Sequence, residues 1–137
     1  IYYAAKFGYT EIVKILAPLI DIPNTPNYFR RTPIHYAAKY GYMEIVKILS
    51  PLTDNPNAPD DFGRTPIYYA AKYGYIEIVK ILAPLTDNPN APNEDGKTPS
   101  SVTKNSAIRS FLKSFNTSRK HKAESLIKPS KKRAKKS

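Results

Sequence analysis

Catalysis requires a nucleophile beside a base, a pair of carboxylates across a substrate, or metal ligands at working spacing. This chain of 137 residues offers few such parts. It has no cysteine, which excludes disulfides and thiolate–metal sites and fits an intracellular protein. Its two histidines, His35 and His121, have no nucleophile or ligand set at a matching interval. Glu11, Glu44 and Glu77 recur at a fixed interval, and their simplest role is to favour the positive end of a helix and to pair with lysine, as Glu44 does with Lys47. Asp60 with Asp61, and Glu94 with Asp95, are read as solvated turn acids, because a calcium loop needs more ligands in closer series. No catalytic residue, metal site or cofactor is therefore expected. What remains is the chemistry of recognition: eleven tyrosines and a strongly basic C-terminal segment.

The elements that hold these side chains are set by an internal repeat. The stretch from Thr32 to Arg64 returns from Thr65 to Lys97 with only seven changes, and Thr32, Thr65 and Thr98 each open a TP pair at an interval of 33 residues. The seven changes are His35/Tyr68, Met43/Ile76, Ser50/Ala83, Asp60/Asn93, Asp61/Glu94, Phe62/Asp95 and Arg64/Lys97. A fixed period of this size signals a stack of small units. Each unit carries two helical patterns. In the first, Ile34, Ala37 and Ala38 give a small apolar face, Thr32 is placed to cap the start, Pro33 sits at the first helical position and Gly41 ends it. The second opens near Glu44 and carries Ile45, Val46, Ile48, Leu49 and Leu52 as a broad stripe. Neither helix is long enough to stand alone, so stacking must supply the stability.

The TP pair, the His35-x-Ala37-Ala38 run, Gly41, the Glu44-to-Leu49 run and the Asp60–Gly63 turn recur in phase and resemble the ankyrin repeat. The resemblance covers Ile1 to about Phe115. It implies an all-α solenoid of helix–turn–helix units with projecting hairpins at Pro26–Arg31, Pro59–Arg64 and Pro92–Lys97. It also implies that His35, replaced by Tyr2 and Tyr68 in the other copies, ties adjacent loops by hydrogen bonds. Tyr3, Tyr36 and Tyr69 are expected in the core. Two departures bear on geometry. Pro18, Pro51 and Pro84 should end or kink each second helix early, since Pro51 meets the carbonyl of Lys47. Arg30 stands where Gly63 and Gly96 stand in the other hairpins, so strain or distortion is expected at that tip.

The chain divides into a truncated repeat (1–31), two whole repeats (32–64 and 65–97), a degenerate capping repeat (98–115) and a basic tail (116–137). The chain opens inside a repeat and without Met, so it reads as a fragment whose Ile1, Ala4 and Ala5 would face an upstream unit. In the last unit Val102, Ile108, Phe111, Leu112 and Phe115 keep one packing face while polar residues replace others, as a C-terminal cap requires. The tail holds nine Lys or Arg and one Glu, so +8 of the formal +11 lies in its 22 residues. Such a segment cannot bury enough apolar surface to order itself and is expected to be disordered. No run approaches 18 apolar residues, and no membrane span is expected.

The resemblance implies a non-catalytic scaffold that binds a protein through hairpin tips and inter-helix turns. The partner-facing positions are Phe7, Lys39, Tyr40, Lys72 and Tyr73 at the turns, with Tyr28, Phe29, Arg31, Asp61, Phe62, Arg64, Glu94, Asp95 and Lys97 at the hairpins. Exposed aromatics with Arg are the usual anchors of interfaces. The tail residues Arg119, Lys120, Lys122, Lys131, Lys132, Arg133, Lys135 and Lys136 resemble a nuclear localisation signal read by an import receptor, which predicts a nuclear rather than cytoplasmic protein. Alternatives are a basic protein that binds nucleic acid weakly and non-specifically through the tail, and a C-terminal regulatory fragment of a larger multidomain protein.

Overall fold

The computed structural model describes residues 1–19 and 21–115. Eight α-helices among them form four helix–turn–helix pairs. These are α1 (Tyr2–Phe7) with α2 (Thr10–Leu16), α3 (Pro33–Lys39) with α4 (Met43–Leu49), α5 (Pro66–Lys72) with α6 (Ile76–Leu82), and α7 (Pro99–Val102) with α8 (106–115). The first helices α1, α3, α5 and α7 stack in one row, and α2, α4 and α6 stack in a second. No helix among the described residues is long and apolar enough to cross a membrane.

The core is built from the residues that the repeat places in register. Ile34, Ala37 and Ala38 and their counterparts Ile67, Ala70 and Ala71 are buried, as are Val46, Leu49, Val79 and Leu82. Each fully buried Ile or Leu contributes about 2 kcal/mol, whereas the Ala pairs chiefly allow the helices to approach closely. Gly41 is required twice over. Its φ is +78°, and a Cβ there would lie 2.7 Å from the Tyr75 ring of the next unit. The helices α3, α5, α7 and α8 have side-chain caps at their starts. Thr65 and Thr98 accept from the N–H of Tyr68 and Ser101 at 3.1 Å, and Thr32 forms a capping box with His35. Asn105 caps α8, its Oδ1 accepting from the Ala107 N–H at 2.8 Å.

The prolines act where their ring forbids an α-turn. α4 stops at Leu49 and the chain continues as a 3₁₀ turn over Ser50–Leu52, with the same device at Ala83–Leu85. Leu52 therefore leaves the apolar stripe and is exposed, which corrects its expected place beside Ile45 and Leu49. The lysine three residues after each glutamate pairs with it: Glu11–Lys14 at 3.0 Å, Glu44–Lys47 at 3.5 Å and Glu77–Lys80 at 4.0 Å. All six side chains are about half exposed or more, so each pair is worth only a few tenths of a kcal/mol, roughly.

Three expectations at the first unit need revision. Ala4 and Ala5 are buried rather than exposed, because they face α2 and α3. Tyr3 is 67% exposed, unlike its buried counterparts Tyr36 and Tyr69. Those two lie against the ring of Tyr2 and of His35 in the preceding unit, at 4.7 and 6.3 Å between centroids, whereas Tyr3 meets Tyr2 and Phe7 of its own helix. Arg30 does take the left-handed conformation of a glycine, with φ +61°. Its hairpin is nonetheless not distorted: Arg30 N–H donates to the Asn27 carbonyl at 2.9 Å, as Gly63 N–H does to Asp60 and Gly96 N–H to Asn93 at 3.0 Å. The strain is confined to one torsion.

Candidate functional site

The three hairpins lie side by side. Asp61 N–H donates to the Phe29 carbonyl at 3.0 Å and Glu94 N–H to the Phe62 carbonyl at 3.1 Å. This lateral register is tight at Gly63, where a Cβ would lie 2.9 Å from the backbone nitrogen of Glu94. One side chain closes each hairpin from within. Asn27, Asp60 and Asn93 stand 33 residues apart, and each accepts two backbone N–H bonds through Oδ1 from the residues two and four further on. The second side-chain atom of each points to the tyrosines of the first helices. Asn27 Nδ2 donates to the hydroxyls of Tyr2 and Tyr36 at 2.9 and 3.0 Å, and Asn93 Nδ2 donates to that of Tyr68 at 3.3 Å.

Asp60 is the charged member of this series, and it is not the solvated turn acid its neighbours suggested. Its side chain is 0% exposed, and Oδ2 accepts from the Tyr69 hydroxyl at 2.6 Å and from Arg31 Nε at 3.1 Å. Burial raises a carboxyl's pKa, but here Tyr69, Arg31 and the two backbone donors outweigh it and hold Asp60 below the usual carboxylate range. The same contact pushes the Tyr69 hydroxyl up to about 12, burial being the larger cause and Asp60 the next. Arg31 belongs to this buried pair as much as to the surface, since only 15% of its side chain is exposed. That revises its expected role as a freely presented anchor. Burial works against its charge, but Tyr36 and Asp60 raise its pKa overall.

His35 completes the junction. The Thr32 N–H donates to Nδ1 at 3.0 Å, and Nε2 lies 3.2 Å from the Arg64 carbonyl. The first bond requires a bare Nδ1, so the proton sits on Nε2 and donates to that carbonyl. Burial lowers the pKa of His35 to about 4, and the ring is neutral at physiological pH. It is structural, as its place in the motif implied.

The remaining candidate residues line two edges of the stack, the hairpins and the inter-helix turns. Phe29 and Phe62 are exposed, their rings stacked at 6.4 Å, and the Arg31 guanidinium lies 5.2 and 5.8 Å from the two centroids. Tyr28 stacks on Phe29 at 5.6 Å and stands outermost. At the inter-helix turns Phe7, Tyr40 and Tyr73 are exposed, each with the preceding lysine over its ring at 5.5 to 5.6 Å. Tyr36 and Tyr69 join the two edges. Tyr36 lies between Lys6 at 5.8 Å and Arg31 at 6.0 Å, and Tyr69 between Lys39 at 5.8 Å and Arg31 at 5.7 Å. Asp61, Glu94, Asp95 and Lys97 are exposed on the second and third hairpins, so the hairpin edge changes from aromatic to acidic along the stack. Arg64 is half-buried beneath it, 5.5 and 5.7 Å from the centroids of Phe62 and Tyr68.

Among the described residues no group of three or more His, Cys, Asp and Glu could hold a metal ion. The buried pair of Asp60 with Arg31 was missed from sequence. The tail residues Arg119, Lys120, Lys122, Lys131, Lys132, Arg133, Lys135 and Lys136 lie outside the described residues.

A search of curated protein sequences gave no match. The family model for ankyrin repeats matches three copies over residues 1–93. Together with the phased helix pairs, their hairpins and the His35 bridge, this shows that the chain belongs to the ankyrin-repeat family, whose repeats are protein–protein interaction modules.

Proposed function

We propose that the chain is a non-catalytic nuclear scaffold that grips a protein partner along the strip from the hairpin tips to the inter-helix turns. The observation that carries this reading is the run of exposed aromatic rings, each with a cation against its face, in 33-residue register on one side of the stack. Large rings held in place lose little entropy on binding and supply most of the apolar area that a hot spot needs. The helices behind them give the rigidity, so a partner meets a surface that is already formed.

The test is affinity capture with quantitative mass spectrometry. The chain is compared with a variant carrying Phe29→Ala, Phe62→Ala and Tyr40→Ala, whose helicity is first checked by circular dichroism. Exposed residues were chosen so that the core is left alone. A partner retained by the chain and reduced more than about tenfold by the variant supports the reading. An unchanged set of captured proteins contradicts it. The nuclear part rests on the basic tail and has its own test. A fluorescent fusion accumulates in the nucleus and loses that address when Lys131, Lys132, Arg133, Lys135 and Lys136 become alanine. Equal distribution of both forms removes the nuclear assignment and leaves the binding strip untouched.

A further inference from the structure

The two inter-repeat junctions are built alike but are not filled alike. At the first, Arg31 meets the buried carboxylate of Asp60 at 3.1 Å and the ring of Tyr69 at 5.7 Å. At the second, 33 residues on, Arg64 takes the place of Arg31, Asn93 that of Asp60, and Val102 that of Tyr69. Two groups that close the first junction are thus missing from the second: a negative charge and an aromatic ring. A pocket of about 500 Å³ lies there, lined by Arg64, Lys72, Lys97, Tyr68, Asn93 and Val102 among others. Its lining carries three cationic residues against the single carboxylate of Asp95. Arg64 makes no ion pair within hydrogen-bond reach among the described residues; burial works against its charge, but the Tyr69 hydroxyl and the more distant Asp60 raise its pKa overall.

We propose that this pocket is a specificity subsite that receives one Asp or Glu side chain of the protein partner, with the Arg64 guanidinium on its wall and Lys72 and Lys97 on its rim. The proposal rests on the partner-binding reading above and names what the strip selects for. The first junction is the internal precedent: this same fold seats a carboxylate against the equivalent arginine there, and Asp60 shows the charge type that fits. Asn93 cannot act in its stead. Its Oδ1 is taken by the N–H groups of Asp95 and Lys97, and its Nδ2 is itself a donor. A carboxylate from outside therefore supplies what the sequence omits, and the rim lysines draw it in.

The experiment uses the whole chain and sodium acetate as the probe, with sodium chloride at equal ionic strength as the control. The Arg64 Nε–H resonance is followed by NMR. A saturable shift at Arg64 is expected, with no response at Arg31, whose Nε already has its carboxylate. Asn93→Asp places a carboxylate within the pocket, as Asp60 does at the first junction, and should abolish the response without loss of stability. Arg64→Gln is the second variant, guarding against an effect of Asn93→Asp on the hairpin. Peptides selected on the chain from a random display library should carry an acidic residue and bind at least about tenfold more weakly to either variant. An Arg64 resonance that moves no more than that of exposed Arg30 overturns the pocket as an anion site. Since acetate needs no partner, that failure leaves the scaffold reading standing. Acetate binding with selected peptides indifferent to both variants overturns the subsite role.

Discussion

Asp60→Asn tests the inter-repeat pair most sharply, because the sequence itself shows that asparagine closes the hairpin. Asn27 and Asn93 make the same two Oδ1 bonds to backbone N–H groups that Asp60 makes. The substitution should therefore keep the turn and remove only the charge facing Arg31 and Tyr69. The Tyr69 hydroxyl can rotate to accept from the new amide, but Arg31 Nε cannot accept at all. Breaking a buried ion pair by removing one partner costs about 3–5 kcal/mol. Arg31 is 15% exposed and can turn partly toward water, so the expected loss is smaller, about 2 kcal/mol. The assay is equilibrium urea unfolding of the chain, with Arg31→Met and the double variant completing a cycle. The double variant should lie within about 1 kcal/mol of the unsubstituted chain, since methionine covers the same rings without leaving a buried charge. A coupling energy near zero, or a single variant as stable as the parent, refutes the account of the junction.

Other consequences follow from single residues. His35 is buried neutral with its pKa lowered to about 4, so the unfolded chain binds its proton first as the pH drops. Its contribution is complete above about pH 6.5 and is lost between there and about pH 4, a change on the order of 3 kcal/mol. His35→Tyr, the residue present at Tyr2 and Tyr68, should flatten the stability profile over that window, measured by urea unfolding at a series of pH values. Arg30→Gly should stabilise by about 0.5–1 kcal/mol, because φ +61° costs a side chain more than the extra freedom of glycine in the unfolded chain. A thermal midpoint that falls would show that Arg30 is not strained. Gly63→Ala and Gly96→Ala share a positive φ, yet only the first meets backbone, so it should cost at least about 1 kcal/mol more in the same assay.

Most of the frame was legible because it repeats. The 33-residue phase, the TP starts, the glycine ends and the apolar positions all report local geometry, and each was repeated often enough to be read. The proline stops were legible for the same reason, as a clash within one turn of helix. What was hidden depends on contacts between copies. Arg31 and Asp60 are 29 residues apart, and nothing near Asp60 distinguishes it from exposed Asp61. Its burial appears only once the hairpins are laid side by side. One signal was present: Asp60/Asn93 is a charge difference between otherwise near-identical copies, and the hairpin one unit before that of Asp60 carries Arg31. Tyr36 and Tyr69 show the same dependence, since each is covered by a ring of the copy before it and not by its own repeat. Leu52 was misplaced because the apolar pattern runs past the proline that had already ended the helix.

On the proposed function, one face of this stack, not the helix row behind it, meets the partner. Hydrogen–deuterium exchange of the chain, with and without the tightest peptide from a random display library, tests it most directly. Added protection is expected at residues 28–31, 61–64, 39–41 and 72–74, the hairpins and inter-helix turns that carry the exposed rings. Protection concentrated instead on α4 and α6, with those four segments unchanged, would place the binding surface on the opposite side and contradict the account.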